Sequence, residues 1–383
     1  MRVITTDESH AVNAEKKLKV LVVDDSAIYR KIIRDVLSTL PGVEISGIAR
    51  DGTEALNQIE LIQPDVVTLD VEMPVMNGLE VLAEIQRRGS SAKAIMVSSL
   101  TSDGAAATLE ALQLVAFDFV TKPVGSRPAD SAQLLGNLLK EKLDALRLSN
   151  RLRSPAVARR VEPTNQSASP FAGAAVSSQL SLSGRRRTGC YAAVALGVST
   201  GGPDALRQLL PLLPASFPLP ILIVQHMPPV FTKSFANLLS SRCKLPVKEA
   251  EHGDIVQGGH IYIAPGGYHM KVSHAGGRTR IQITEDEPEC NCRPAVDYLF
   301  RSVAEVYGSE SLAVIMTGMG YDGTAGLRMI KRVGGAIIAQ DAESCVVWGM
   351  PRTITEEGLA DSVVPLSKLA EEIQTFVGEP VAV

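Results

Sequence analysis

Aromatic residues are scarce, at 4% of 383 positions with a single tryptophan, Trp348. The cores must therefore be aliphatic, and rings for a base-stacking surface are few. No run of ~18 apolar residues occurs, which argues against a spanning helix. The opening MRVITTDESHAVNAEKK has no apolar h-region, so it does not read as a secretory signal. Cysteine is limited to Cys190, Cys243, Cys290, Cys292 and Cys345. That odd, scattered set fits reduced thiols in the cytoplasm rather than a disulfide framework. A positive excess is also missing: 38 basic against 42 acidic residues give −4, which disfavours nucleic acid as the main partner. Usage is otherwise that of a globular protein, with 45% hydrophobic and 21% charged residues. At ~150 residues per domain, the length predicts two to three domains.

From Lys17 to about Arg147 the pattern alternates between strand and helix. Lys19–Val23 is a continuous apolar run ending in Asp24, Asp25 and Ser26, as a buried parallel strand should. Further strands are expected at Val43–Ile48, Asp65–Leu69, Lys93–Ser98 and Phe117–Val120, with helices between them. Five such units predict a flavodoxin-like (βα)5 domain over 18–147. Residues 1–17 read as a disordered extension, and 148–189 as a flexible Arg/Ser/Pro-rich linker. Seven Arg and one Glu give residues 151–189 a net of 7 − 1 = +6, so the remainder carries −4 − 6 = −10. A second α/β pattern fills 190–379, a doubly wound fold with a mostly parallel sheet and hairpin-like insertions. Its strands are expected at Tyr191–Gly197, Pro220–Gln225, His260–Ala264, Met270–His274, Arg280–Thr284, Ser311–Thr317 and Gly335–Ala339.

In the first domain Asp24 and Asp25 follow the first strand, Asp70 the third, Ser98 the fourth and Lys122 the fifth. Open α/β sheets place ligands at those carboxyl ends. Three converging carboxylates repel one another unless a cation joins them, and Mg²⁺ is the natural hard-ion occupant. A lysine and a hydroxyl would then steady a phosphoryl group on one carboxylate, with Asp70 best placed as nucleophile. Val22-Val-Asp-Asp-Ser26, Leu69-Asp-Val-Glu-Met-Pro74 with Asn77-Gly78, Ser98 and Lys122-Pro123 together resemble a two-component response-regulator receiver. The resemblance implies phosphorylation of Asp70 by a histidine kinase. It implies Mg²⁺ held by Asp25, Asp70 and the Glu72 carbonyl with Asp24 close by. Ser98 would sense the phosphoryl group, and Phe119 would be the switch aromatic.

In the second domain Gly197-Val-Ser-Thr-Gly201-Gly202 lies between a strand and a helix. A dinucleotide loop would need a glycine where Ser199 stands and an acid some 20 residues on, and Ala205 to Lys248 holds none. A P-loop would need a Gly-Lys-Ser/Thr ending. The remaining reading is G-x-S-x-G, a sharp turn that lifts a serine above a sheet edge. Among six histidines, His226 ends the apolar strand Ile221–Gln225 and so shares that edge. His10 is in the tail, and His252, His260, His269 and His274 fall in the hairpin region. Asp322 follows the strand entering Gly318-Met-Gly320, whose amides suit an oxyanion hole. The order Ser, His, Asp differs from the α/β-hydrolase order.

With Ser199, His226 and Asp322 placed, this half closely resembles the protein-glutamate methylesterase domain of bacterial chemotaxis, the CheB type. The further matches are Gln225-His-Met-Pro228, Tyr262-Ile-Ala-Pro-Gly-Gly267 with His269-Met270, Arg293-Pro-Ala-Val-Asp297, Met316-Thr-Gly-Met-Gly320 with Asp322-Gly323, and Gly349-Met-Pro351. The resemblance implies hydrolysis of glutamate γ-methyl esters on chemoreceptors, with deamidation of certain receptor glutamines, in chemotaxis adaptation. Ser199 would be the nucleophile, His226 the base then acid, and Asp322 the orienting acid. The Met319 amide would bind the oxyanion, and Thr200 would help position the histidine. The esterase needs no cofactor on this reading, and Mg²⁺ serves the receiver alone. The implied partners are methyl-accepting chemoreceptors, the chemotaxis histidine kinase and the receiver itself, docking intramolecularly. Nucleic acid and membrane insertion are not expected, and the chain reads as a cytoplasmic monomer. Cys290-Asn-Cys292 reads as structural thiols, because no second cysteine pair follows at zinc spacing. Two alternatives stay open: a receiver with a binding output, and the same esterase fold serving a non-chemotactic pathway.

Overall fold

The computed structural model describes residues 17–99, 101–114, 116–123, 128–152 and 191–378. Residues 1–16 of the expected 1–17 extension and 153–189 of the expected linker, including Arg185–Arg187, fall outside them, as does Cys190, while 148–152, expected as flexible linker, are instead helical. The chain forms two compact units, each built round its own parallel sheet.

The N-terminal elements are β1 (Leu18–Val23), α1 (Ala27–Thr39), β2 (Val43–Ala49), α2 (Gly52–Ile62), β3 (Val66–Asp70), α3 (Gly78–Arg87), β4 (Lys93–Ser98), α4 (Ser102–Gln113), β5 (Asp118–Thr121) and α5 (Pro128–Leu152). The sheet order is β2-β1-β3-β4-β5, all parallel, as the alternating pattern predicted. Apolar runs make β1 and β3 strands buried on both faces, so their polar residues emerge only at the ends. Helix α3 starts on a capping box in which Asn77 Oδ1 accepts from the Glu80 amide (3.0 Å) and Glu80 accepts from the Asn77 amide (2.8 Å). Gly78 follows because a Cβ there would lie 2.2 Å from the Asp70 carbonyl oxygen. The α3 N-terminus can thus press against the strand end that carries Asp70.

The C-terminal unit has a seven-stranded parallel sheet in the order β14-β13-β12-β6-β7-β9-β8. Its strands are β6 (Ala193–Val198), β7 (Ile221–Gln225), β8 (Val247–Glu249), β9 (Ile261–Ile263), β12 (Ser311–Ile315), β13 (Ala336–Gln340) and β14 (Ser362–Val364). The expected hairpin is β10 (His269–Ala275) paired antiparallel with β11 (Arg278–Thr284). Gly276 and Gly277 at φ 60° and 74° form its two-residue turn. Helices α6 (Gly202–Leu209), α7 (Phe231–Ser240), α8 (Val296–Tyr307), α9 (Thr324–Arg332), α10 (Met350–Glu356) and α11 (Leu366–Val377) belong to the unit, which also takes in α4 and α5 from Glu141 onward. Aliphatic side chains of β6, β7, β12 and β13 pack with Val296, Leu299 and Phe300 of α8 into one core.

The structure adds β8, β14 and the seven-residue α10, which are too short to carry a readable period. It also ends β12 at Ile315, two residues before the expected Thr317. The chain winds outward from β6 through β7 and β9, then returns to lay β12 on the other side of β6. That reversal opens a crevice at the carboxyl ends of β6 and β12, where such sheets bind ligands.

Candidate functional site

Ser199 follows β6 at the crevice, where its amide donates to the Thr317 carbonyl (3.0 Å) and its carbonyl accepts from the Gly202 amide (2.8 Å). Gly201 takes a left-handed conformation (φ 78°), which makes the sharp turn into α6. Gly318, at the end of the neighbouring strand segment, comes so close that a Cβ on it would meet Met350 Sδ at 2.4 Å and Ser199 Cβ at 2.8 Å. Only glycine lets the two strand ends approach this far. The Gly318 amide is spent on the Val347 carbonyl (3.0 Å). Among the described residues the Met319 and Gly320 amides find no acceptor in the chain, so they remain as donors beside Ser199.

His226 follows β7, the strand paired with β6 on its other side. Its Nε2 lies 2.7 Å from Asp322 Oδ2. Asp322 is buried and holds α8 as well as the imidazole: Oδ2 accepts from the Val296 amide (2.7 Å) and Oδ1 from the Asp297 amide (2.9 Å). Those donors keep Asp322 ionised; burial would raise its pKa, but the histidine and both amides outweigh it and hold it below the ordinary carboxylate value. For His226 burial favours the neutral ring, yet the Asp322 hydrogen bond, the Cys292 sulfur and the Asp322 charge together push its pKa up to about 10. In its expected role as base His226 works only as neutral imidazole, so any turnover that depends on it is expected to keep rising with pH well beyond the 6.5 of an ordinary histidine. A pH–rate profile that levels off at or below 6.5 would contradict this.

The other ring nitrogen has an unforeseen neighbour: Cys292 Sγ lies 3.7 Å from His226 Nδ1. Cys290 and Cys292 are expected from the sequence to be structural thiols, and the structure sets Cys292 beside His226. No hydrogen bond joins His226 to Ser199 or to Thr200 among the described residues. Thr200 is buried, with its carbonyl 3.0 Å from Thr317 Oγ1. A buried glutamine ties the site together: Gln225 Nε2 donates to the carbonyls of both Ser199 and His226, each at 3.0 Å. The sequence matches Gln225 to the family without giving it a role, although an amide ending an apolar strand was the available signal. His269 is a satisfied core histidine, stacked on Tyr298 at 4.3 Å and bonded to backbone at both nitrogens. His252 and His260 have backbone partners.

On the first sheet, carboxylate oxygens of Asp24, Asp25 and Asp70 lie within 4.8 Å of one another. Asp24 and Asp70 are buried while Asp25 is exposed, so the cluster opens to solvent on one side. Lys122 Nζ lies 2.7 Å from Asp70 Oδ2 and 2.9 Å from Asp24 Oδ2. Burial and then the Asp24 charge raise the Asp70 pKa to about 6, against the pull of Lys122. Burial raises Asp24 too. A set of hard oxygens held together at this cost suits a divalent cation. Ser98 ends β4 fully buried, level with Thr121 in the β4–β5 register, and Phe119 is buried in β5. Glu72 is exposed, and its amide lies 3.4 Å from Asp70 Oδ1. Two neighbours were not anticipated: Arg30 donates to the carbonyls of Asp24 (2.8 Å) and Asp25 (2.7 Å), and Lys122 lies over the Tyr29 ring at 4.7 Å. Among the described residues no helix is long and apolar enough to cross a membrane.

Comparison with known proteins gives consistent matches along the chain. The model of the CheB methylesterase family matches residues 194–373, and that of the response regulator receiver domain matches 20–131. The protein-glutamate methylesterase/protein-glutamine glutaminase of Desulfotalea psychrophila is 47% identical, over 94% of this chain and 98% of its own. Its counterpart in Thermotoga maritima is 41% identical, over 95% of this chain and 99% of its own. Among solved structures, the Thermotoga maritima CheB methylesterase catalytic domain is 48% identical, covering 48% of this chain and 97% of that one with a TM-score of 0.47.

Proposed function

The chain belongs to the CheB methylesterase family, with a receiver domain in front, and we propose that Ser199, His226 and Asp322 carry out its chemistry. It is a protein-glutamate methylesterase and protein-glutamine glutaminase. The substrates on this reading are γ-methyl esters, and certain glutamines, of methyl-accepting chemoreceptors. The domains are a receiver over 18–147 and the esterase over 190–379, with the linker between them starting after α5 ends at Leu152. The carrying observation is the 2.7 Å bond between His226 Nε2 and Asp322 Oδ2, one strand from Ser199 at the crevice.

Because Asp322 occupies Nε2, the proton-accepting nitrogen of His226 is Nδ1. In the substrate complex Ser199 Oγ attacks the γ-carbonyl carbon and passes its proton to Nδ1, a contact that tightens only with substrate bound. The Met319 amide takes the oxyanion, and Gly320 offers a second donor. His226 then gives the proton to the leaving methoxide, or to the departing amine of a glutamine, releasing methanol or ammonia. Water repeats the sequence to free the glutamate. Asp322 stays ionised throughout and stabilises the imidazolium. Thr200 acts by packing beside the nucleophile.

The receiver is the input. Asp25, Asp70 and the Glu72 carbonyl would hold Mg²⁺, with Asp24 beside them; the ion would neutralise charge on an incoming phosphoryl group. Asp70 accepts the phosphoryl group from the chemotaxis histidine kinase, Lys122 and Ser98 contact it, and Phe119 reports it. Phosphorylation shifts an intramolecular docking equilibrium in the cytoplasmic, monomeric protein, and ~1–3 kcal/mol would change access to Ser199 by 5- to 150-fold. The test is methanol release from methylated receptor with and without a small phosphodonor. Asp70→Asn, or removal of Mg²⁺ by a chelator, is expected to abolish both phosphate incorporation and the stimulated rate while leaving the basal rate. Equal rates with and without phosphodonor in the unmodified protein would sink the gating claim.

A further inference from the structure

The esterase site contains one pairing that its chemistry does not use. Glu289 and Cys292 exchange both backbone hydrogen bonds (3.1 and 2.8 Å) across Cys290 and Asn291, which sit at φ 51° and 60°. This is a two-residue turn in the left-handed region without glycine; asparagine enters that region readily, so the strain, roughly 1–2 kcal/mol, falls on Cys290. Arg301 of α8 holds the turn with a bidentate grip on Glu289 (2.8 and 2.5 Å). The turn is thereby pinned to the same helix whose N-terminus Asp322 holds. What it delivers to the crevice is the Cys292 sulfur, 3.7 Å from the free nitrogen of His226.

That spacing has a chemical meaning. Zinc–sulfur bonds of ~2.3 Å and zinc–nitrogen bonds of ~2.0–2.1 Å, meeting at a tetrahedral angle, put the two ligand atoms roughly 3.5–3.6 Å apart. His226, Cys292 and Asp322 bring potential ligand atoms within 4.8 Å of one another. Asp322 is already committed, since Oδ1 serves the Asp297 amide and Oδ2 serves the Val296 amide and Nε2. A carboxylate on one imidazole nitrogen, with the other nitrogen turned to a metal, is how zinc-bound histidines are commonly oriented. The carboxylate that prepares His226 as a base also prepares it as a ligand.

We propose that Cys292 Sγ and His226 Nδ1 form a reversible inhibitory site for a thiophilic divalent metal ion, Zn²⁺ in the first instance, with Asp322 behind the imidazole and solvent completing the coordination. The inference rests on the reading of His226 as the base. Binding displaces the Cys292 thiol proton, and the Nδ1 proton when the ring is charged, to solvent; no electron moves. The metal occupies the nitrogen that must receive the Ser199 proton, so the bound form is inactive. Two protein ligands are fewer than a resident zinc centre uses, which fits a site that fills and empties with the free metal level.

The test uses the full-length protein with excess Mg²⁺ to saturate the receiver carboxylates, and Co²⁺ as the spectroscopic probe. One Co²⁺ per chain should give a near-ultraviolet thiolate-to-metal charge-transfer band that Zn²⁺ displaces. The band should disappear in Cys292→Ala and Cys292→Ser, and survive in Cys290→Ser and Ser199→Ala. Zn²⁺ at the concentration that displaces cobalt should slow methyl-ester hydrolysis at least tenfold, with recovery on chelation. The Cys292 variants should need at least tenfold more Zn²⁺. A wild-type protein without the band, a band that persists without Cys292 or depends on Cys290, or equal zinc sensitivity in the Cys292 variants would each overturn the proposal. Activity in Ser199→Ala would overturn the triad and leave the spectroscopic result standing, so the two failures are distinguishable.

Discussion

Asp322→Asn is expected to lower kcat for methyl-ester hydrolysis about 10⁴-fold, the loss seen when an orienting aspartate becomes an amide. The carboxylate is an acceptor on every side: Oδ2 takes His226 Nε2 and the Val296 amide, and Oδ1 takes the Asp297 amide. An asparagine amino group must occupy one of those positions. At the Oδ2 position it donates to Nε2, which drives the ring proton onto Nδ1 and removes the lone pair that Ser199 needs. At the Oδ1 position it faces the Asp297 amide, and two donors then meet in a buried site. A donor left unsatisfied there costs about 1–3 kcal/mol, so the variant should also unfold at lower urea. The paired readout is kcat by methanol release and the urea midpoint. A variant within tenfold of the parent rate would remove Asp322 from the mechanism, whatever its stability.

Ser199→Ala should remove essentially all turnover, a loss of about 10⁶-fold by comparison with other serine hydrolases stripped of the nucleophile. Folding should be nearly untouched. The serine backbone makes the structural bonds, to Thr317 and Gly202, while Oγ makes none to His226. Ester and glutamine substrates should lose activity together, because both pass through the same acyl-enzyme. Measuring methanol and ammonia release on one preparation checks this. Glutaminase activity that outlived the substitution would mean a second nucleophile.

The positions of both candidate sites were legible because they interrupt apolar runs. Asp24, Asp70, Ser98, Ser199 and His226 each stand where a buried strand meets its loop, and a buried parallel strand leaves its polar residues nowhere else. The sheet-edge position of Asp322 followed from the same pattern. What stayed hidden has two physical sources. The strands Val247–Glu249 and Ser362–Val364 hold three residues each, too few to show alternation. The contact between Cys292 and His226 joins residues 66 apart through the fold of a turn, and no periodicity encodes that distance. A search for a second cysteine pair at zinc spacing could not find that contact, since its other member is a histidine. Gln225 was given no role for a related reason: its value lies in reaching two carbonyls at once, which only the three-dimensional register of β6 and β7 reveals.

The reversal of the second sheet bears on how the protein is made. Ser199 and His226 lie on strands that follow one another in the chain and can pair as soon as both leave the ribosome. The proposed oxyanion donors and Asp322 follow β12, which comes much later in the chain and must come back to dock beside β6. Domains emerge N-terminal part first, and such long-range pairings form late. A nascent chain therefore carries its serine and histidine through the synthesis of the 96 residues between His226 and Asp322 with no acid to pair with. On the proposed roles, the hydrolase becomes chemically competent only when most of its catalytic domain has been synthesised, after the receiver in front of it.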